Sequence, residues 1–66
     1  MKHAEAELHY HPRRREYEIT LWYLGRDGQP FDWIGICGRT LVDCISETAI
    51  FCKRQGILIV KAETAS

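Results

Sequence analysis

The stretch Tyr17-Glu-Ile-Thr-Leu-Trp-Tyr-Leu24 decides the fold that this sequence predicts. Alternate side chains of a β-strand point to opposite faces of its sheet. One face of this strand carries Tyr17 and three further apolar residues, whereas Trp22 and Leu24 point to the other face. The stretch 31–36 repeats the pattern. Two strands with apolar residues on both faces predict a sheet that needs a cover on each side, or a partner.

The length and composition of the chain limit its possible functions. Residues 1–66 are enough for one domain, and a core of this size supplies only roughly 3–5 kcal/mol, so a second subunit or another support is expected. Nine basic and nine acidic residues balance, so no net charge attracts nucleic acid or an anionic membrane. The longest apolar run, residues 57–60, is too short to cross a bilayer. No membrane association is expected.

The three cysteines, Cys37, Cys44 and Cys52, are an odd number and show no Cys-x-x-Cys spacing. This pattern argues against a disulfide framework and against a zinc site. Reduced thiols are typical of cytoplasmic proteins. The sequence therefore predicts a cytoplasmic protein, without cofactor or metal, in which the cysteines serve mainly as small core residues.

Periodicity and turn residues predict four strands and one helix. The strands are expected at residues 4–10, 17–24, 31–37 and 57–62, and residues 63–66 are expected to fray. Thr40 with Asp43 three residues later predicts the start of a helix, and Gly56 predicts its end, so the helix covers 41–55. A right-handed connection then places the last strand parallel to the first. The predicted fold is α+β, a four-stranded mixed sheet of order 3-2-1-4 with one helix packed on one face.

The register of the predicted sheet places four large apolar residues on one face. If Leu24 pairs with Phe31, then Trp22 lies opposite Trp33, and Leu21 lies opposite Ile34 on the reverse face. The reverse face is aliphatic and suits the helix, whose apolar stripe is predicted to contain Leu41, Cys44, Ile45, Thr48, Ala49 and Cys52. The helix covers one face only, and a shifted register would exchange the two faces and leave the aliphatic set uncovered instead. Four residues are thus predicted to form an uncovered patch: Trp22, Leu24, Phe31 and Trp33.

The segment Gly38-Arg-Thr-Leu-Val-Asp-Cys-Ile-Ser-Glu-Thr-Ala49 resembles the Gly-x-Thr-Leu-x-acidic-x-aliphatic start of the helix in HicB antitoxin domains. The predicted element order is also similar to that family, whose sheet is the first half of a ribonuclease H-like sheet. The resemblance implies a small toxin as partner. The chain lacks the Pro-Asp-Leu-Pro-Gly turn of that family, and it shows no carboxylate cluster for ribonuclease activity.

Two further groups of residues are candidates for binding. His9 and His11 share one strand face with Glu7, but no further ligand completes a metal site, and exposed histidines are expected there. The sequence His11-Pro-Arg-Arg-Arg15 forms a basic tip. Arg13, Arg14 and Arg15 are the candidate contacts to phosphate or to a protein partner.

These observations predict a non-catalytic binding module. We expect it to form a homodimer or a small homo-oligomer through the aromatic patch. Two alternatives remain open at this point. One is a HicB-like antitoxin bound to a small toxin, and the other is a single-stranded nucleic-acid binder that uses the arginine tip and the aromatic residues.

Overall fold

A computed structural model describes residues 1–65 of the chain. It contains four strands and one helix, which are β1 (Lys2–His11), β2 (Glu16–Leu24), β3 (Pro30–Gly38), α1 (Leu41–Gln55) and β4 (Ile57–Thr64). The strands form one sheet of order β3-β2-β1-β4. β2 is antiparallel to both of its neighbours, and β4 is parallel to β1. The predicted α+β fold and its strand order are confirmed.

The last strand is longer than predicted. The parallel pairing with β1 continues to Glu7↔Glu63 and Leu8↔Thr64, and the Ala65 backbone N–H donates to the Leu8 carbonyl. Backbone pairing with the neighbouring strand thus orders residues 63–65, where polar composition predicted a frayed tail. Ser66, the last residue of that predicted tail, lies outside the described residues.

Both predicted ends of α1 are confirmed. The Asp43 backbone N–H donates to Thr40 Oγ1 at 3.0 Å, which satisfies one of the donors that a helix start leaves without a partner. At the other end, Gly56 adopts a left-handed conformation with φ of 67°, and its N–H donates to the Cys52 carbonyl. Glycine adopts this conformation without steric cost. The chain can therefore turn directly from α1 into β4.

The core lies between α1 and the aliphatic face of the sheet. Ala4 and Leu21 are fully buried there together with Cys44 of the helix, and Ile34 packs against this cluster. The pairs Ala6↔Leu21 and Leu21↔Ile34 follow the predicted register. The helix thus covers the aliphatic face, the one of the two faces that the sequence favoured without deciding between them.

The apolar stripe of α1 buries fewer residues than predicted. Cys44, Thr48 and Cys52 form its buried row, whereas Leu41 is 40% exposed and Ile45 51% exposed. Ala49, also predicted in the stripe, is exposed. The reason is that α1 packs chiefly against β3, and one row spaced by four residues fills that contact.

Gly38 explains how closely the start of α1 approaches β3. A Cβ atom at this position would lie 2.5 Å from the Cys44 nitrogen and 2.7 Å from the Cys44 Cα. Only glycine leaves room for helix backbone at that distance. The Cys44 Sγ lies 3.3 Å from the Ile36 carbonyl oxygen, close enough for a weak hydrogen bond.

Candidate interaction surface

Trp22 and Trp33 form an aromatic pair on the sheet face opposite α1. They are direct partners across β2 and β3, and their ring centroids lie 6.1 Å apart with an angle of 45° between the planes. This tilted geometry is a favourable one for aromatic rings. Trp22 is half-buried, and Trp33 remains 56% exposed. No helix or strand within residues 1–65 packs over the pair, because α1 lies on the other face.

Phe31 does not join this pair, although the sequence placed it in the same patch. Leu24 pairs with Pro30 instead of Phe31, and Tyr23 pairs with Asp32, so Phe31 is an extra residue in β3. An extra residue of this kind locally interrupts the alternation of the strand. The Phe31 ring lies 6.5 Å from the ring of Tyr23. The four-residue patch is therefore divided.

The turn between β2 and β3 explains this shift. The Gly25 N–H donates to the Gln29 carbonyl at 2.9 Å, and the Gly28 N–H donates to the Gly25 carbonyl at 3.0 Å. Gly28 has φ of 79°, which glycine adopts readily. The connection therefore holds five residues, 25–29, where the sequence predicted six. One residue fewer in the turn reverses the direction of the side chain that follows.

The surroundings of the tryptophan pair are polar. Across β1 and β2, Glu5 pairs with Trp22, Glu7 with Thr20, and His9 with Glu18. Alternation places these side chains on the same face as the pair. Thr20 is only 7% exposed, so neighbouring side chains pack over it without any help from the helix. The uncovered face is thus a small aromatic centre among carboxylates and histidines.

The polar character of this face was not predicted, although the sequence contains a signal for it. The period of two that placed Trp22 on this face also places Glu18 and Thr20 there. On this face, His11 Nε2 lies 2.7 Å from Glu18 Oε1, within the distance of a hydrogen bond or an ion pair. The Glu18 carboxylate has room there because its neighbour on β3 is Gly35. A Cβ atom at position 35 would collide with this carboxylate.

The arginine tip lies at the far end of β1 and β2 from the tryptophans. Arg14 folds back onto β2, with its Nε 2.9 Å from Glu16 Oε1 and its Nη2 3.9 Å from Glu18 Oε1. Glu5, which pairs with Trp22, precedes His11 by six residues on β1, or about 20 Å. Carboxylates occupy the surface between them. The structure therefore does not bring the arginines and the aromatic pair into one site.

The histidines form carboxylate contacts rather than a ligand cluster. His9 Nε2 lies 2.8 Å from Glu7 Oε1, and the rings of His9 and His11 stack with centroids 6.3 Å apart. Within residues 1–65, no group of three or more His, Cys, Asp or Glu side chains is arranged to hold a metal ion.

The cysteine thiols are all unpaired, and their environments disfavour the reactive thiolate. Burial raises the pKa of Cys44 and of Cys52 above the ordinary value. Cys37 is exposed, yet partial desolvation and then the negative charge of Glu18 raise its pKa as well. A thiol with a raised pKa is a poor nucleophile at neutral pH.

No helix in the described part of the chain is both long enough and apolar enough to span a membrane.

Comparison with known proteins found no relative. No family model, no curated protein and no solved structure matches this chain. The tryptophan pair and its surroundings are therefore the feature of this molecule that points to a function.

Proposed function

We propose that this protein is a non-catalytic binding module that forms a homodimer or small homo-oligomer through the face bearing Trp22 and Trp33. One observation carries the proposal. Two large aromatic side chains lie side by side in a tilted arrangement on a sheet face that the helix does not cover, and Trp33 is more than half exposed. Tryptophan is among the residues that most often anchor protein interfaces.

The small size of the domain supports self-association. A single core in a chain of 66 residues supplies only roughly 3–5 kcal/mol, and a second subunit adds buried apolar area. A two-fold arrangement is the commonest one for identical chains, and it places the same patch on both sides of the contact. Trp22 and Trp33 of each copy would then pack against those of the other.

The charges around the pair constrain how two copies meet. A face-to-face contact brings the carboxylates of Glu5, Glu7 and Glu18 near their equivalents in the second copy, and such like charges repel. Arg13 and Arg15 are exposed and form no ion pair within residues 1–65. We therefore assign the arginine tip the role of orienting the partner, by offering positive charge to its acidic surface.

Sedimentation velocity of the wild type at micromolar concentration tests this proposal. Trp33→Ala should weaken dimerisation by about thirtyfold or more, because truncating a central anchor commonly costs about 2 kcal/mol or more. Trp22→Ala should have a similar effect. Val42→Ala is a matched control, since Val42 is 71% exposed on the helix and lies away from the sheet face.

Salt supplies a second measurement of the same contact. Screening weakens both the repulsion between the carboxylates around the pair and the attraction between these carboxylates and the arginine tip. With Arg13 and Arg15 both replaced by Ala, that attraction is reduced while the repulsion stays, so dimerisation of this variant should strengthen between low and moderate ionic strength. A monomer whose two tryptophans show solvent-exposed emission at micromolar concentration would refute self-association. Equal weakening by Val42→Ala would show that the contact lies elsewhere.

The resemblance to HicB domains gives the binding module a second possible partner. The strand order 3-2-1-4 with a helix before the last strand is the order that this resemblance implies. In this alternative, the tryptophan face binds a small toxin instead of a second copy of this chain. Coexpression with the products of neighbouring genes, followed by copurification, tests it, and Trp33→Ala should reduce the recovery of a toxin that binds the tryptophan face.

We also propose that the protein works in the cytoplasm. The three thiols are unpaired, and two of them are buried in the core. Free cysteines are typical of a reducing compartment. Fractionation of the native cells tests the assignment, and recovery of the protein outside the cytoplasm would contradict it.

A further inference from the structure

A cavity of about 490 Å³ opens at the end of the sheet where β1 begins and where β2 turns into β3. Its volume lies within the range of small-molecule sites, roughly 300–1,000 Å³. Tyr23 and Phe31 line it together with Lys2, His3, Arg26 and Asp32. None of these residues belongs to the tryptophan pair, so the cavity is a separate feature of the molecule.

Two aromatic rings supply the apolar part of the cavity. The Phe31 and Tyr23 centroids lie 6.5 Å apart, with 38° between the ring planes. Phe31 is 72% exposed, although burying a side chain of this kind is worth roughly 1.5–3 kcal/mol. The extra residue in β3 is what brings this ring beside Tyr23. A planar ligand stacked on Phe31 would remove its exposed face from water.

The charged lining of the cavity is predominantly basic. Lys2 and Arg26 contribute two positive charges, and neither forms an ion pair within residues 1–65. Asp32 is the opposing charge, and its Oδ1 accepts a hydrogen bond from the Trp33 backbone N–H at 2.8 Å. Arg26 presents the planar guanidinium that binds phosphate or carboxylate through two parallel hydrogen bonds.

We propose that this cavity binds a small planar aromatic anion, of which a mononucleotide is the representative. The aromatic ring of the ligand stacks on Phe31 beside Tyr23, and its anionic group contacts Arg26 and Lys2. The site does not depend on self-association through Trp22 and Trp33. Failure of either proposal is therefore distinguishable from failure of the other.

Titration of isotope-labelled protein by amide NMR tests the site, with AMP, adenosine and inorganic phosphate as the three probes. AMP should shift the amides of Tyr23, Arg26 and Phe31, and it should bind at least about tenfold more tightly than either partial probe, since it alone uses both halves of the cavity. Phe31→Ala should weaken AMP and adenosine alike. Arg26→Gln should weaken AMP toward the level of adenosine, with Lys2 remaining as the second contact to the phosphate, and leave adenosine unchanged.

Arg54→Gln is the matched control, because it removes the same charge from an exposed position on α1 and should leave AMP binding unchanged. Phe31 and Arg26 are both exposed, so their variants should fold, and an unchanged amide spectrum elsewhere checks this. Absence of shifts at the cavity with millimolar AMP would overturn the proposal. Equal effects of Arg26→Gln and Arg54→Gln would overturn it as well, since they would indicate general charge attraction.

Discussion

Replacing Gly38 by alanine should destabilise the domain through a collision between backbone and side chain. The new Cβ would lie 2.5 Å from the Cys44 nitrogen, 2.7 Å from the Cys44 Cα and 3.0 Å from the Asp43 carbonyl carbon. Carbon atoms pack best about 3.5–4.0 Å apart, so the first turn of α1 must move by about 1 Å. Helix backbone cannot rotate aside as the end of a side chain can.

The expected magnitude follows from two opposing effects. Overpacking of this kind typically costs about 1–3 kcal/mol, whereas alanine is favoured over glycine in a strand by roughly 0.5–1 kcal/mol. The net loss for Gly38→Ala is therefore about 1–2 kcal/mol of unfolding free energy. In a domain of this size, that loss lowers Tm by about 5–15 °C. It is a large part of the roughly 3–5 kcal/mol that such a core supplies.

Gly35→Ala provides a matched control on the same strand. Its Cβ would collide only with the carboxylate end of Glu18, which can swing toward solvent, so its stability should stay within about 1 kcal/mol of the wild type. Urea unfolding, followed by circular dichroism at one fixed protein concentration, compares the two variants. If Gly38→Ala were as stable as Gly35→Ala, the close approach of α1 to β3 described above would be wrong.

Three further predictions concern the thiols and nucleic acid. Cys44 and Cys52 should react slowly with a thiol reagent until the protein unfolds, because they are buried; fast reaction of either in native protein would show that the helix packs differently. Glu18→Gln should speed alkylation of exposed Cys37 at pH 8, since the Glu18 charge helps to raise its pKa, and an unchanged rate would contradict that cause. Short single strands of DNA or RNA should bind poorly to the tryptophan pair, because Glu5, Glu7 and Glu18 surround it. Tight binding that weakens steeply with salt, with a slope flattened by alanine at Arg13, Arg14 and Arg15, would instead favour the nucleic-acid alternative.

Local patterns were sufficient to predict most of the fold. Alternation sorted the residues of each strand into two faces, although it left open which face the helix covers. Thr40 and Gly56 marked the helix ends because their chemistry acts within a few residues. The pairing of Trp22 with Trp33 was also predicted, because the residue missing from the turn and the extra residue Phe31 in β3 offset each other. These features depend on neighbours in the sequence, which a single sequence contains.

Features that depend on an exact distance were not predictable. A turn rich in glycine does not reveal whether it holds five residues or six, and that single residue moved Phe31 from the tryptophan patch to the cavity beside Tyr23. Likewise, the presence of Gly38 in the sequence does not reveal how near α1 lies to β3. The number of helix residues that this contact buries was therefore overestimated, and Ile45 is one of the residues that remain exposed. The polar character of the candidate site's surroundings was predictable, since alternation places Glu18 and Thr20 on the same face as Trp22.

The parallel pairing of β1 with β4 also determines how the domain bears mechanical load. The two strands are hydrogen-bonded neighbours from Lys2↔Ile57 to Leu8↔Thr64. Tension between the start of β1 and the end of β4 therefore pulls adjacent strands in opposite directions along their length. The hydrogen bonds of the pair are then sheared together, instead of opening one after another as they would in a hairpin pulled apart from its open end. Stretching along this axis thus loads many hydrogen bonds of the pair at once, on both sides of the register shift after Ala4.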